Sequence, residues 1–310
     1  MPERQSCLPE GLRPPVPFTL AALQEAAGRE EVFEAVPCRC GADHTLYFSL
    51  DGIAAQMPRS EAVAPWISGA GREIAVLSRV GKPTCFTVTA LGADAKGAPL
   101  ALLSRRRAQD LAMAQFLEHL RPGTVLAGRV TRLESFGVFV DIGCGIVAML
   151  PLERISVSRI SHPSQRFREG QKIRAAVLSL DRDRRRITLT HRELLGTWME
   201  NASRFRPGET VAGVVRSVQP YGSFIELAPN LSGLADSRED LAVGDGVSVF
   251  IKSIRPERMK IKLQIIDRLP PAEPAPPAYQ ITDGQLDRWV YSPPGCLRPP
   301  ILTDFTEACP

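Results

Sequence analysis

Ser135-Phe136-Gly137-Val138-Phe139-Val140-Asp141-Ile142 is the stretch of the chain that decides its fold. If this run is a β-strand, Val138, Val140 and Ile142 lie on one face, because side chains alternate along a strand. Phe139 and Asp141 then lie on the other face. A buried face would not tolerate Asp141, so we expect Phe139 to be half exposed, as an aromatic ring that stacks on bases must be. The alternative is a pair of phenylalanines in the core of a small barrel, and this stretch alone leaves both interpretations open.

The same pattern returns later in the chain. Residues 121–142 realign on residues 206–227, with every position shifted by 85. Tyr221 and Phe224 take the places of the first aromatic pair, and Glu226 takes the place of the first acid. If the aromatic residues were core positions, the fold would not require an acid to recur on the same face of the strand. The repeat therefore favours an exposed aromatic platform on each copy.

Charge is distributed unevenly along the chain. Residues 121–193 carry a net charge of +7, whereas residues 1–104 carry −2, residues 205–264 carry +1 and the part from residue 265 carries −3. Such concentration favours a polyanionic partner, with a phosphate backbone first, although an arginine-rich face can also simply keep a protein soluble.

The densest run of charge consists of four arginines, Arg182, Arg184, Arg185 and Arg186. A solvated turn would account for them, but the neighbouring platform favours contacts with phosphates. His162 and His191 have no nucleophile partner at a recognised catalytic spacing. A loop histidine near a basic face more often contacts phosphate or solvent, so we treat His162 as a weaker RNA-binding candidate.

The pieces of a known pattern stand in order within residues 121–193. They are Gly128-Arg129-Val130, Phe136-Gly137-Val138-Phe139-Val140, residues 145–150, Gly170-Gln171, Asp181 and Arg186-Ile187-Thr188-Leu189-Thr190. In these pieces the segment resembles the S1 domain, the five-stranded barrel repeated in bacterial ribosomal protein S1, and residues 205–267 resemble a second copy. The resemblance implies an all-β fold of tandem five-stranded oligonucleotide-binding (OB-fold) barrels joined by short helices.

The resemblance also implies an RNA-contacting face of four residues, Phe136, Phe139, Asp181 and Arg186. Strand alternation agrees, because it turns Ile187 and Leu189 inward and Arg186 outward. Arginine binds a phosphate or stacks on a base, and an aromatic ring accepts any base. We expect Asp181 to orient Arg186 or to accept a hydrogen bond from a base or a ribose. The family often has a histidine after the third strand, where this chain has Pro151.

The second copy keeps its aromatic residues, Tyr221 and Phe224, but differs from the first copy at the other positions of the RNA-contacting face. Arg255 stands at the acidic position and Lys260 at the basic one, and Ala235 stands at the histidine position. We therefore expect the second copy to bind RNA with less specificity.

Residues 31–104 read as a degenerate copy. His44 and Tyr47 take the aromatic positions and are weaker candidates for RNA contact. Leu100 stands where the basic residue would be, and the segment is net acidic. We expect this unit to be chiefly structural or to dock other molecules.

These patterns divide the chain into seven segments. They are a leader (1–30), a degenerate barrel (31–104), a linker helix (105–120), an S1 barrel (121–193), a second linker helix (194–204), a second S1 barrel (205–267) and a proline-rich tail (268–310). Within the first barrel, residues 73–80 read as a strand. In the first linker, an apolar face is predicted from Leu111, Ala114, Leu117 and Leu120.

Three further stretches resemble short, three-domain S1-like proteins of clostridial-type bacteria. They are residues 155–163, 194–198 and 228–234. They indicate lineage more than activity.

The sequence offers no pattern typical of a metal site, a cofactor site or a catalytic centre. Its seven cysteines are irregularly spaced, and the pair Cys38-Arg39-Cys40 is too short for the usual zinc pair. No apolar run reaches the length of about 18 residues that a membrane helix needs. We therefore expect a cytoplasmic binding protein without enzymatic activity, cofactor or metal.

The sequence predicts an RNA-binding protein that holds single-stranded RNA or mRNA, at the small ribosomal subunit in translation. Tandem weak sites raise avidity, so modest individual barrels suffice. The alternative is a protein-docking scaffold, or a non-catalytic subunit of an RNA-processing or decay assembly.

Overall fold

The structure is a computed structural model that describes residues 7–27, 29–67, 71–238, 240–270 and 276–306. Three β units follow one another, and a C-terminal segment packs against the last two. Parts of the predicted leader and of the predicted proline-rich tail lie outside the described residues. Within the described ranges, no helix is long and apolar enough to cross a membrane.

The first unit is an open six-stranded sheet. Its elements are α1 (Leu20–Ala26), β1 (Phe33–Ala35), β2 (Arg39–Cys40), β3 (Leu46–Leu50), β4 (Ile53–Met57), α2 (Arg59–Ala62), α3 (Ile74–Leu77), β5 (Thr84–Ala93) and β6 (Pro99–Ser104). The strands lie in the order β1-β5-β6-β4-β3-β2.

This order is that of a five-stranded barrel whose first strand is broken in two. β1 pairs with β5, whereas β2 pairs with β3. Pro37 lies between the two pieces and has no N–H to donate, so it interrupts the ladder at this point. The barrel predicted for residues 31–104 is therefore a half-barrel.

The strand predicted at residues 73–80 is wrong, because α3 lies there. Only Val76 is buried, while Ile74 and Leu77 are exposed. A strand would place Ile74 and Val76 on the same face, whereas a helical turn separates them.

Helix α4 (Arg105–His119) joins the first two units, as predicted, and Ser104 caps it by accepting from the Arg107 N–H. The predicted apolar face is rotated from the observed one. The buried apolar positions of α4 are Ala108, Ala112, Met113 and Phe116, which belong to the core of the second unit. Of the predicted face, Leu120 is buried and Leu111 and Leu117 are partly buried against the same core, while Ala114 is exposed. Because α4 is covered by both units, its sequence lacks the contrast between polar and apolar faces that would reveal its orientation.

The second unit, here called the middle barrel, is closed. Its strands are β7 (Val125–Glu134), β8 (Gly137–Gly143), β9 (Ile146–Pro151), β10 (Lys172–Asp181) and β11 (Arg186–Thr190), in the order β10-β11-β9-β8-β7. Val138, Val140 and Ile142 are buried in its core, which confirms the predicted inward face of β8.

The third unit, here called the third barrel, repeats the same order. After α5 (Trp198–Ala202) come β12 (Thr210–Gln219), β13 (Gly222–Ala228), β14 (Leu231–Ala235), β15 (Gly246–Arg255) and β16 (Lys260–Leu269). The glycines that open the two copies, Gly128 and Gly213, lie against Val140 and Ile225 respectively, so closely that a Cβ would overlap these side chains. The repeated glycine therefore serves the closure of each barrel.

The C-terminal segment is bound to both barrels and includes β17 (Arg288–Val290) and β18 (Leu302–Asp304). Tyr279 and Leu286 pack near Val125 of the middle barrel. Trp289 and Tyr291 belong to the core of the third barrel. The tail that the sequence left without a role thus completes two hydrophobic clusters.

Asp141 is buried, contrary to the sequence interpretation that placed it on an exposed face. Its carboxylate accepts hydrogen bonds from the Glu10 N–H at 2.8 Å and the Gly143 N–H at 2.9 Å. Glu10 is itself held by Arg105 at 2.7 Å and Arg79 at 2.7 Å. Distant residues of the leader and of α4 cover Asp141, which is why the local pattern could not predict its burial.

These buried charged groups change one another's pKa values. Burial alone would raise the pKa of Glu10, but Arg105 and Arg79 hold it below its ordinary value. Burial, aided by the nearby charge of Glu10, raises the pKa of Asp141 to about 7. The acid that anchors the leader is therefore easily protonated.

Glu226, the equivalent acid of the third barrel, is also buried. It is bound by Arg216 of its own barrel, with Nε–Oε2 and Nη2–Oε1 distances of 2.9 Å and 3.0 Å, and by Arg166 of the middle barrel. The recurring acids thus serve as anchors between units rather than as solvent-exposed neighbours of the aromatic rings.

We predict that Trp289→Ala lowers the free energy of unfolding by about 3–5 kcal/mol, because it removes a large buried side chain from the core of the third barrel. Urea unfolding followed by circular dichroism measures the change. Val290→Ala is the control, since Val290 is exposed on the same strand and should change stability by less than about 0.5 kcal/mol. Equal effects of the two substitutions would contradict the packing of the C-terminal segment.

The raised pKa of Asp141 predicts a pH-dependent stability. Its folded pKa of about 7 exceeds the ordinary value of 3.8, so its protonated form stabilises the fold at low pH. This contribution is lost as the pH rises from 3.8 through 7. Asp141→Asn cannot titrate, so the stability of the wild type relative to Asp141→Asn should fall over this range in urea unfolding. A difference that does not vary with pH would contradict the assignment.

Candidate nucleic-acid interface

The middle barrel carries an exposed pair of aromatic rings. Phe136 immediately precedes β8 and is 55% exposed, and Phe139 lies on β8 and is half-buried. The ring centroids are 6.0 Å apart with an interplanar angle of 87°. This edge-to-face contact leaves ring faces open to a ligand, although the premise that Asp141 lies exposed beside them was wrong.

The strand register places further residues beside this pair. Phe139 lies opposite Met149 of β9 and Arg132 of β7, and Met149 lies opposite Thr188 of β11. Two residues before Thr188, on the same face, comes Arg186. We call this surface, made of Phe136, Phe139, Met149, Thr188 and Arg186, the platform face. Met149 and Arg132 escaped the sequence analysis, and the pairing of β8 with its neighbours is the signal that finds them.

Asp181 lies opposite Arg186 at the end of the β10–β11 hairpin. Its Oδ1 accepts from the Arg184 N–H at 2.9 Å, and its Oδ2 lies 3.9 Å from Arg184 Nε. In the free protein, the contacts of Asp181 are thus to Arg184 rather than to Arg186. The carboxylate closes the turn and leaves the guanidinium of Arg186 exposed.

The arginine run divides between two surfaces. The guanidinium of Arg182 donates to the Leu117 carbonyl of α4, and Cζ of Arg185 lies 5.3 Å from the ring centroid of Trp66. Arg182 therefore faces α4, and Arg185 faces the first unit. Arg186 belongs to the platform face, and Arg184 lies in the hairpin turn next to it, in contact with Asp181.

The third barrel repeats the aromatic pair. Tyr221 is 70% exposed, and its ring centroid lies 6.3 Å from that of Phe224 at an interplanar angle of 88°. Beside the pair runs a groove of about 600 Å³. We call it the third-barrel groove; it is lined by Tyr221, Phe224, Ser232, Gly233, Leu234, Ala235, Asp236, Met259, Lys260, Ile261, Lys262 and Arg298. Lys262 and Arg298 were not among the sequence candidates.

The hairpin end of the third barrel brings two cations together. Arg255 lies directly opposite Lys260, where the middle barrel has the pair of Asp181 and Arg186. Like charges at opposed strand positions are destabilising, and an anion placed between them relieves the repulsion. This end of the third barrel is suited to an anionic ligand.

The weaker candidates have partners within the chain. Cζ of Arg39 lies 3.9 Å from the ring centroid of Tyr47, and His44 Nε2 lies 3.8 Å from Glu73 Oε1. His162 accepts from the Ser164 N–H at the start of a short turn. None of these side chains lies on the platform face or lines the third-barrel groove.

His191 has a structural setting rather than a catalytic one. Its Nδ1 lies 2.7 Å from the Ile155 carbonyl oxygen and its Nε2 lies 3.2 Å from the Tyr279 hydroxyl. Burial lowers its pKa to about 4, so the ring is neutral at pH 7. It links the middle barrel to the C-terminal segment.

Comparison with known proteins gives the middle barrel a family. Residues 119–192 match the family model described as the S1 RNA binding domain. The middle barrel is an S1 RNA binding domain. The tandem barrels and the half-barrel fit the oligonucleotide-binding fold of such domains.

Relatives of known name share about half of the chain. The small ribosomal subunit protein bS1 homolog of Bacillus subtilis (strain 168) is 32% identical over 173 residues, which cover 51% of this chain and 45% of the relative. The small ribosomal subunit protein bS1 of Leuconostoc lactis is 32% identical over 190 residues, which cover 56% of this chain and 44% of the relative. The chain thus spans less than half the length of these relatives.

Among solved structures, similarity is found to a multidomain protein with nucleic acid binding domains from Streptococcus pneumoniae. It is 14% identical, and the alignment covers 76% of this chain and 73% of that one with a TM-score of 0.26. Agreement at this level does not describe the arrangement of the three units.

We predict that Lys260→Glu stabilises the third barrel, because it replaces a like-charge pair with an ion pair opposite Arg255. Urea unfolding should show a gain of about 0.2–1 kcal/mol. Lys262→Glu is the matched control, since the same charge change occurs opposite Ser253. An equal gain in both variants would mean that net charge, and not the cross-strand pair, is responsible.

Proposed function

We propose that this chain binds single-stranded RNA through the platform face and the third-barrel groove, and that it holds mRNA at the small ribosomal subunit in the cytoplasm. The observation that carries the proposal is the recurrence of an exposed edge-to-face aromatic pair at equivalent positions of two barrels, each beside exposed basic residues. A repeated core position would bury both pairs, whereas Phe136 and Tyr221 are more than half exposed.

The chemistry of the two sites suits RNA without strict sequence selection. Aromatic rings stack on any base because every base has a π-face. Arg186 in the middle barrel, and Arg255 with Lys260 in the third barrel, supply positive charge for the phosphates that accompany the stacked bases. Arg184 adds charge at the same hairpin, although Asp181 partly neutralises it.

The ribosomal part of the proposal is supported by the relatives, which are named as small ribosomal subunit proteins. The matched model describes an RNA-binding domain, which supports a binding role for this chain rather than an enzymatic one. The first unit is net acidic and its aromatic candidates are engaged internally, so we assign it to docking rather than to RNA contact.

We predict that Phe136→Ala combined with Phe139→Ala weakens binding of an unstructured RNA oligomer by about 1–3 kcal/mol for each base that loses its stacking partner. Fluorescence anisotropy titration measures the affinity. The conservative pair Phe136→Tyr with Phe139→Tyr keeps both ring faces and should retain binding. Met199→Ala, which truncates an exposed apolar side chain outside both barrels, controls for loss of apolar surface. Unchanged affinity of the double alanine variant would refute the platform.

Sedimentation with purified small ribosomal subunits and labelled mRNA tests the ribosomal role. The wild type should carry the mRNA into the subunit fraction, and the double alanine variant should carry less of it, because only the third-barrel groove is left intact. Point variants are preferable to deletions, because the leader and the C-terminal segment both contribute to buried contacts with the barrels. Retention of as much mRNA by the double alanine variant as by the wild type would favour the scaffold alternative.

A further inference from the structure

The C-terminal segment supplies part of the third-barrel groove. Arg298 lines the groove with Tyr221, Phe224 and Lys260, although it lies beyond the last strand of the barrel. The barrel strands alone therefore do not form the whole surface that a ligand in this groove would meet.

The loop that carries Arg298, residues 292–301, is held at both its base and its tip. At the base, the Tyr291 N–H donates to the Ile301 carbonyl at 2.9 Å, beside the pairing of β17 with β18. At the tip, the Leu297 N–H donates to the Glu257 carbonyl at 2.9 Å. Glu257 lies in the turn between β15 and β16, so the loop is bound to the hairpin that presents Lys260.

The groove has an excess of positive charge. Lys260, Lys262 and Arg298 line it, and the one acid among the lining residues, Asp236, lies 3.8 Å from Lys252. In the ranges that the structure describes, no ion pair joins any of the three lining cations to a carboxylate. Their charges remain available to a ligand.

We propose that Arg298 binds a backbone phosphate of the RNA strand whose bases stack on Tyr221 and Phe224, so that the third-barrel site is complete only with the C-terminal segment in place. The inference rests on the proposed function. A strand stacked on the aromatic pair carries one phosphate for each base, and its backbone therefore runs along the same groove in which the three cations lie.

The test compares Arg298→Ala with Arg288→Ala in the full chain. Both remove one exposed arginine from the C-terminal segment, but Arg288 does not line the groove. Oligouridine binding is measured by fluorescence anisotropy over a series of salt concentrations. Loss of one phosphate contact should reduce the slope of log affinity against log salt by about 0.7, which corresponds to about a fivefold loss at 0.1 M salt.

Arg288→Ala should bind as the wild type does, and Arg298→Lys should retain most of the affinity because it keeps the charge. In the background of Tyr221→Ala with Phe224→Ala, Arg298→Ala should have a smaller effect, since the strand no longer lies in the groove. If the losses in binding free energy from Arg298→Ala and from the two aromatic substitutions add fully, Arg298 lies outside that site and the inference is overturned.

The outcomes separate this inference from the proposed function. If the wild type does not bind oligouridine, the proposed function fails. If the wild type binds and Tyr221→Ala with Phe224→Ala weakens binding, but Arg298→Ala matches Arg288→Ala, only the role of Arg298 fails. A polyglutamate peptide that displaces the RNA at equal charge concentration would overturn the assignment of the groove to RNA.

Discussion

The arrangement of the last two units depends on one buried carboxylate, Glu226. A charge of this kind costs several kcal/mol to remove from water, and the cost is offset only while its partners stay in place. Arg216 comes from the same barrel, but Arg166 comes from the middle barrel, so the pairing requires that the two barrels meet at a fixed position. Asp141 joins the middle barrel to the leader in a different way, by accepting a hydrogen bond from the Glu10 N–H. The acids that repeat in the sequence are thus the points at which each barrel is attached to the chain that precedes it.

A fixed junction between the two barrels lowers the entropy cost of binding a ligand that spans both of them. Barrels on flexible linkers gain avidity but lose ordering entropy each time a ligand spans both. Here Arg166 and the C-terminal segment cross the junction, and the Ser158 hydroxyl lies 2.8 Å from that of Ser232, a lining residue of the third-barrel groove. An RNA strand that bound to both barrels would meet a surface whose geometry already exists. Its affinity would then depend on stacking and on phosphate contacts rather than on the cost of aligning the barrels.

The sequence predicted the two closed barrels and the position of each aromatic pair, because the repeat fixes strand alternation and the opening glycine together. It failed where contacts are made by residues far apart in the chain. Asp141 looked exposed because Glu10, which covers it, is more than a hundred positions away. The break in the first unit has a local signal, because Pro37 lies between β1 and β2. Arg298 has no local signal in the sequence, since its place in the groove depends on the docking of Trp289 in the core of the third barrel. The binding roles of the candidate residues themselves remain predictions.

The docking of the C-terminal segment also sets the order in which the chain can mature during synthesis. Domains generally fold as units from the N-terminal end while the chain is still being made. The third barrel departs from this order, because Trp289 and Tyr291 fill its core from beyond its last strand. Tyr279 and Leu286 likewise cover Val125 of the middle barrel long after that barrel has been translated. A nascent chain that ends before residue 291 therefore carries two unfinished barrels, and neither reaches its final packing until that last segment has emerged and docked.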